Sequence, residues 1–429
     1  NENSVVKGKI LVLVYSKSLN RLAIVMTDDK IIHLSTWEIA KLHFLSFVCG
    51  SYLIVKGLLK WAWDPKKFFV MQERDKPPPC LIDNNLGIHS YVKIKGVKFH
   101  YVEAGNRDKP LLLLLHGFPD CWWSWRGQIP CLAENYRIIA IDLKGFGDSD
   151  KPPNRRSYRI NILIEELKQL VSTFGAKTCS IIGHDLGGLL GWYMVALHGD
   201  MIYKFIAISS PHPNFYWNRL SGDSAFDGRW LHFSRLPLLP EIDALKEDLS
   251  VINDTFQHLC MNQAEKDYME AYKYTFSRME DWTGAINYYR NLPFIRLNTD
   301  SCEQMFTRIL LIVGNMDPLV SIENLVHSSE YVEKCSVKVI PGAQHFPHQE
   351  KPDVVNKAIT KFLIGNTCTL EKKPPKSIVS SWLGSLSNTV KYGNQMFDAV
   401  HKKTNGVVNV LPGKVLYLGQ TSRLNTIEI

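Results

Sequence analysis

Six short, mostly apolar runs recur along the middle of the chain: Leu111–Leu115, Ile138–Ile141, Ser180–Ile182, Phe205–Ile208, Ile309–Val313 and Val337–Ile340. A strand of a parallel sheet covered on both faces reads this way, because neither face meets water. Before them, Tyr91-Val92-Lys93-Ile94 and Val97-Lys98-Phe99-His100-Tyr101-Val102 alternate with period two around Gly96, which predicts a half-exposed hairpin. Between several runs the apolar spacing changes to the three-to-four of an amphipathic helix, as over Ile162–Phe174 and Leu189–Leu197. Strands alternating with helices predict an α/β domain with a mostly parallel central sheet flanked by helices.

Two stretches break the rhythm. Residues 212–300 hold helix formers and many aromatics (Trp217, Trp230, Tyr268, Tyr272, Tyr274, Trp282, Tyr288, Tyr289) but no strand-like run, so they read as an inserted helical cap. The core then divides into 91–211 and 301–365. The second stretch, Leu42 to Leu59, is apolar over about the length a membrane helix needs. Lys41 precedes it and Lys56, Lys60, Trp61, Trp63, Lys66 and Lys67 mark its far end, residues that favour a membrane interface. A membrane-anchor helix over 39–63 is expected, single-pass, its lysine cluster keeping the following domain cytoplasmic; a buried or interfacial helix is the alternative, since His43 and Lys56 oppose insertion. Residues 64–90, with Pro77-Pro78-Pro79, read as a linker, and 1–38 as short β-like runs without assigned role. Residues 366–429 read as an extension, either disordered or carrying an amphipathic helix through Ile378, Val379, Trp382, Leu383, Leu386 and Val390.

Composition excludes more than it assigns. The formal charge of +8 over 429 residues is spread along the chain, so no nucleic-acid footprint is expected. Nine cysteines lie far apart without CxxC or metal-type spacing, which favours reduced thiols over a disulfide framework. With no phosphate-binding loop either, neither metal nor organic cofactor is implied.

The chemistry centres on Ile181-Ile182-Gly183-His184-Asp185-Leu186-Gly187-Gly188, where an apolar run meets a helix-like stretch. Small residues on both sides of one side chain mark the strand–turn–helix elbow that presents a nucleophile in α/β-hydrolases. The usual Ser is Asp185 here. A carboxylate can attack an electrophilic carbon and form an alkyl ester, which water later hydrolyses. A helix N-cap is the plainer use of such an Asp. The second step needs a base, and His345 follows the last core run, with His348 competing three residues on. Asp317, after the preceding run, is the carboxylate that would orient it, although an Asp before Pro318 also suits a plain turn. The chain order nucleophile, acid, histidine is that of the fold. His116-Gly117-Phe118-Pro119 follows the first run, so the N–H groups of Phe118 and Leu186 are the expected oxyanion donors.

From about Pro79 to Leu363 the chain resembles the α/β-hydrolase-fold epoxide hydrolases, most of all the membrane-anchored animal epoxide hydrolase 4 group. The matching pieces include His116-Gly117-Phe118-Pro119-Asp120, Trp123-Ser124-Trp125-Arg126, Asp142-Leu143-Lys144-Gly145-Phe146-Gly147 and Gly183-His184-Asp185-Leu186-Gly187-Gly188. The resemblance implies that two cap tyrosines hold the epoxide oxygen. One matches Tyr289; the other aligns with Trp230, whose indole can donate a hydrogen bond but not a proton. His116, Pro119 and His184 are expected around the pocket, and a small lipophilic epoxide, of a fatty acid or an isoprenoid, as substrate at a membrane such as the endoplasmic reticulum. Trp230 would equally suit a halide-releasing relative, and a non-catalytic membrane scaffold is the reading from another class.

Overall fold

The computed structural model describes residues 9–16, 21–28, 30–68, 70–220, 224–259, 266–298, 305, 307–365 and 426–428. The amphipathic run expected beyond residue 366 lies outside them. Strands β1 (Lys9–Ser16) and β2 (Arg21–Asp28) pair antiparallel over the first two β-like runs. The short β3 (Ile31–His33) precedes the sheet strands β4 (Ile88–Ile94), β5 (Val97–Ala104), β6 (Leu111–Leu115), β7 (Arg137–Ile141), β8 (Cys179–His184) and β9 (Ile202–Ile208). After them come β10 (Ile295–Leu297), β11 (Arg308–Gly314), β12 (Cys335–Ile340) and β13 (Thr426–Glu428).

The central sheet has the order β13-β12-β11-β9-β8-β6-β7-β5-β4. Neighbours from β13 to β7 run parallel, and only β5 and β4 are antiparallel. Every apolar run singled out above falls on one of these strands. The inner parallel ones are covered on both faces: Leu111 to Leu115, Ile181 and Ile182, and Ile309 to Val313 are all buried. The helix Ile160–Thr173 turns Leu163, Ile164, Leu167, Leu170 and Val171 inward, whereas Asp185–His198 is buried almost all round. The carboxyl ends of β6, β8, β11 and β12 therefore meet at one edge, beneath the segment that joins β9 to β11.

That segment carries the helices Pro213–Tyr216, Gly228–Phe233, Leu239–Phe256, Lys266–Thr275 and Met279–Tyr289. It also contains a strand where none was expected. β10 pairs antiparallel with β3, so the residues just before the long N-terminal helix are stitched to the end of the insertion. Three residues are too few for periodicity to reveal.

The long helix spans Thr36–Trp63 and begins three residues before the expected 39. Ser35 makes the start: its hydroxyl accepts from the Glu38 N–H, and Glu38 accepts from the Ser35 N–H at 2.8 Å. One stripe of the helix lies on the protein. His43 sits 5.5 Å from the Phe294 ring, Ser46 and Gly50 are buried, and Lys60 pairs with Glu247 at 2.5 Å. A Cβ on Gly50 would stand 2.3 Å from Leu236. The opposite stripe is bare: Phe44, Phe47 and Leu59 are each about two-thirds exposed. The stretch read as a linker is fastened down as well, by Arg74, which donates to both oxygens of Asp248 at 2.8 and 2.9 Å and to Glu270 at 3.0 Å.

Candidate active site

β8 ends at His184 and the next residue already opens a helix, so the chain turns within one peptide. Asp185 sits at the turn with φ +43, a left-handed conformation that strains a side-chain-bearing residue by on the order of 1–3 kcal/mol. The helix holds that strain because it presses on the sheet. A Cβ on Gly187 would lie 2.2 Å from the Leu115 carbonyl oxygen, and one on Gly183 would lie 2.6 Å from the Gly187 backbone. The result is a buried carboxylate at the sheet's carboxyl edge.

Three donors meet that carboxylate. The Phe118 N–H reaches Oδ2 at 3.3 Å, from the loop after β6. The Tyr216 hydroxyl donates to Oδ1 at 2.7 Å, and Arg219 Nη2 donates to the same oxygen at 2.9 Å and to the Tyr216 oxygen at 3.1 Å. Burial alone would raise the Asp185 pKa, but the Arg219 charge, then His345, outweigh it and hold the group below its ordinary value. Leu186 is fully buried and lies in the first turn of the Asp185–His198 helix, where N–H groups have no partner within the helix.

His345 and Asp317 arrive from the loops after β12 and β11. His345 Nδ1 lies 2.9 and 3.1 Å from the Asp317 oxygens. Asp317 Oδ1 also accepts from the Leu319 and Val320 N–H groups at 2.9 and 3.0 Å, which locks the acid in place. Burial would raise Asp317, yet the His345 charge and these hydrogen bonds lower it below its usual range. An ionised carboxylate only accepts, so Nδ1 carries the proton and Nε2 faces Asp185 Oδ1 at 3.8 Å. Nε2 is buried with no hydrogen-bond partner among the described residues. Burial pulls the His345 pKa down, but Asp317 first and Asp185 next raise it above its ordinary value. The competitor His348 turns to the Ser124 hydroxyl, 2.8 Å from its Nε2, and burial keeps it well below the usual histidine range.

Tyr289 ends the Met279–Tyr289 helix with its hydroxyl buried and without a hydrogen-bond partner among the described residues. Its ring lies 5.1 Å from Phe118 and 5.2 Å from Trp230. Trp230 stacks on Phe118 at 5.1 Å, so it stands over the loop that follows β6. A cavity of about 720 Å³ opens beside them, lined by Phe118, Phe226, Trp230, His345 and Phe346, and also by Tyr52, Leu53 and Lys56 of the Thr36–Trp63 helix.

Of the three residues expected around the pocket none lines that cavity, and neither does Asp185 itself. His116 accepts from the Leu143 N–H through Nε2 at 3.0 Å and donates to the Gly117 carbonyl through Nδ1 at 2.8 Å. His184 donates through Nε2 to the His345 carbonyl at 2.9 Å. Burial lowers both to about 4, so they are neutral struts that shape the two loops. Pro119 is buried. The residues missed outright are Tyr216 and Arg219. They follow the carboxyl end of β9, and the rule that ligands gather beyond the carboxyl ends of parallel strands was the signal pointing to them.

The family model described as alpha/beta hydrolase fold matches residues 110–352. Human epoxide hydrolase 4 is 35% identical over 327 residues, which cover 74% of this chain and 90% of that protein. Epoxide hydrolase 3 of Xenopus tropicalis is 35% identical over 326 residues, 72% of this chain and 85% of its own length. Among solved structures, epoxide hydrolase A of Mycobacterium thermoresistibile superposes with a TM-score of 0.56 at 24% identity, covering 65% of this chain and 98% of that one, and so shares the fold. With an Asp at its elbow and this kinship across most of its length, the chain belongs to the epoxide hydrolase family of the α/β-hydrolase fold.

Proposed function

We propose that the protein adds water to epoxides and releases vicinal diols by way of an alkyl ester on Asp185. The carrying observation is the buried Asp185 carboxylate with His345 Nε2 at 3.8 Å and Asp317 behind it at 2.9 Å. Asp185 Oδ1 attacks an epoxide carbon while Tyr289, with the Trp230 N–H beside it, polarises the epoxide oxygen. His345 then takes a proton from water, the hydroxide attacks the ester carbonyl, and the Phe118 and Leu186 N–H groups hold the oxyanion. Preorganised donors of this kind are worth about 3–4 kcal/mol each.

The substrate is a lipophilic epoxide, of a fatty acid or an isoprenoid, that arrives from a membrane. Phe118, Phe226, Trp230 and Phe346 give the cavity an aromatic wall, and Tyr52 and Leu53 extend it onto the apolar Thr36–Trp63 helix. That helix is long and apolar enough to cross a bilayer. Its contacts with the domain run from His43 to Lys60, however, and a helix crossing the bilayer would have to drag that polar surface in with it. It therefore lies in the membrane face, with Phe44, Phe47 and Leu59 in lipid, in place of the single-pass anchor that the sequence suggests.

The test replaces His345 by Gln and offers a lipophilic epoxide, a haloalkane and an ester separately. Intact mass should show an epoxide adduct that maps to Asp185. An adduct from the haloalkane alone would assign the site to dehalogenation, and no adduct from a folded protein would leave it a scaffold.

A further inference from the structure

An arginine buried against a nucleophile is an odd choice if its work is done in the resting enzyme. Arg219 puts a second donor on Oδ1, the oxygen free of the Phe118 N–H, and a charge there makes the carboxylate a weaker nucleophile. The sense of the arrangement changes once Asp185 has reacted. An alkyl ester carries no charge, and Asp317 is already committed to His345, so Arg219 is left as a buried cation without a counter-ion. Something anionic must form beside it in the same step.

Resting on the epoxide-hydrolase reading, we propose that Tyr216 and Arg219 are the acid that receives the opened epoxide. Asp185 Oδ1 forms the new C–O bond, the epoxide C–O bond breaks, and its electron pair stays on the departing oxygen. That oxygen takes the Tyr216 phenol proton, and the phenolate left behind faces Arg219 Nη2 at 3.1 Å. Tyr289 holds the same oxygen by a hydrogen bond without giving up its proton. Water then attacks the ester carbonyl and loses a proton to His345. The acyl C–O bond breaks, and the leaving alkoxide takes that proton back. The carboxylic acid so formed, in which the oxygen from water replaces the departed Oδ1, returns its own proton to the phenolate across the position that Oδ1 holds at rest, 2.7 Å from the Tyr216 hydroxyl. One epoxide and one water become one diol, and every group is restored.

The pair also answers the departure at Trp230, whose N–H is far too weak an acid to protonate an alkoxide. Burial holds the Tyr216 phenol well above its ordinary pKa, and the Asp185 charge pushes in the same direction, while Arg219 opposes both. Esterification removes the Asp185 charge and keeps that of Arg219, so the phenol becomes a better acid only when the alkoxide is forming.

The experiment uses the full chain in the His345→Gln background, where turnover stops at the ester, and follows adduct formation from styrene oxide in a single turnover. Tyr216→Phe and Arg219→Gln should each slow alkylation about 100-fold or more, the range of general acid catalysis. Arg219→Lys should recover about 10-fold of that loss, and a solvent deuterium isotope effect present with Tyr216 should vanish in Tyr216→Phe. If Arg219 only neutralises Asp185, Arg219→Gln frees the carboxylate, and alkylation stays within about threefold or quickens; either result overturns the proposal. An isotope effect that survives in Tyr216→Phe overturns it too. Should Tyr216→Phe not fold, the two Arg219 variants decide alone. Absence of any adduct in His345→Gln itself would sink the enzymatic reading, whereas an adduct formed at equal rates in all variants sinks only this one.

Discussion

His345 donates its Nδ1–H to Asp317 in a 2.9 Å hydrogen bond, and so presents Nε2, its only basic nitrogen, 3.8 Å from Asp185 Oδ1. Replacing Asp317 by Asn removes the charge that favours the imidazolium and loosens the tautomer. Hydrolysis of the alkyl ester should fall by about 10³–10⁴-fold, while its formation, which needs no base, changes far less. Rapid-quench measurement of the two half-reactions checks this; an equal fall in both would contradict it.

The same pair sets the pH dependence. His345 works as a base only when neutral, and its pKa lies above the ordinary value of about 6.5. Ester hydrolysis should therefore decline as pH falls through that raised pKa. Asp185 contributes to the rise only while it is ionised. Single-turnover pH profiles of ester hydrolysis, set beside NMR titration of His345, read that pKa directly.

Much of this arrangement was legible in the chain because the fold places it at strand ends. A buried run announces its own end, and Asp185, Asp317 and His345 each stand a few residues past one. Tyr216 and Arg219 escaped because nothing local marks them: they lie in and just after the four-residue helix Pro213–Tyr216, and their approach to Asp185 is set by how the whole insertion packs. His116 and His184 are the opposite case. Their positions beside the motifs were right, but the hydrogen bonds their rings make go to backbone groups, through both nitrogens of His116 and through Nε2 of His184, a choice that spacing cannot reveal. β3 and β10 were missed because three residues make no period.

Gly187 is the tightest point of the elbow. Its missing Cβ would stand 2.2 Å from the Leu115 carbonyl oxygen and 2.5 Å from that of His116, two backbone atoms that cannot step aside. Gly187→Ala should destabilise the fold by at least about 1–3 kcal/mol, the usual range for overpacking. Thermal melting reads the loss; Gly57→Ala, with nothing within 4 Å of the added carbon, is the control that should melt as wild type.

The bare stripe of the Thr36–Trp63 helix makes its own prediction. Changing Phe44, Phe47 and Leu59 together to Ser should release the full-length protein from phosphatidylcholine vesicles in a flotation assay. The opposite stripe, with Ser46 and Gly50, is untouched, so turnover of a water-soluble epoxide should stay within about twofold. Gly50→Leu does the reverse: it collides with Leu236 and should lift the helix off the domain. Vesicle binding unchanged in the triple variant would contradict the lipid-facing assignment.

The central claim, that Asp185 itself donates an oxygen to the product, is tested most directly by one turnover in water enriched in oxygen-18, with enzyme in excess over a lipophilic epoxide. The account predicts that the first diol carries oxygen of ordinary mass, taken from the Asp185 carboxylate, and that the peptide containing Asp185 afterwards gains one heavy oxygen. Heavy oxygen in that first diol, with Asp185 unlabelled, would mean that water attacks the epoxide directly and would contradict it.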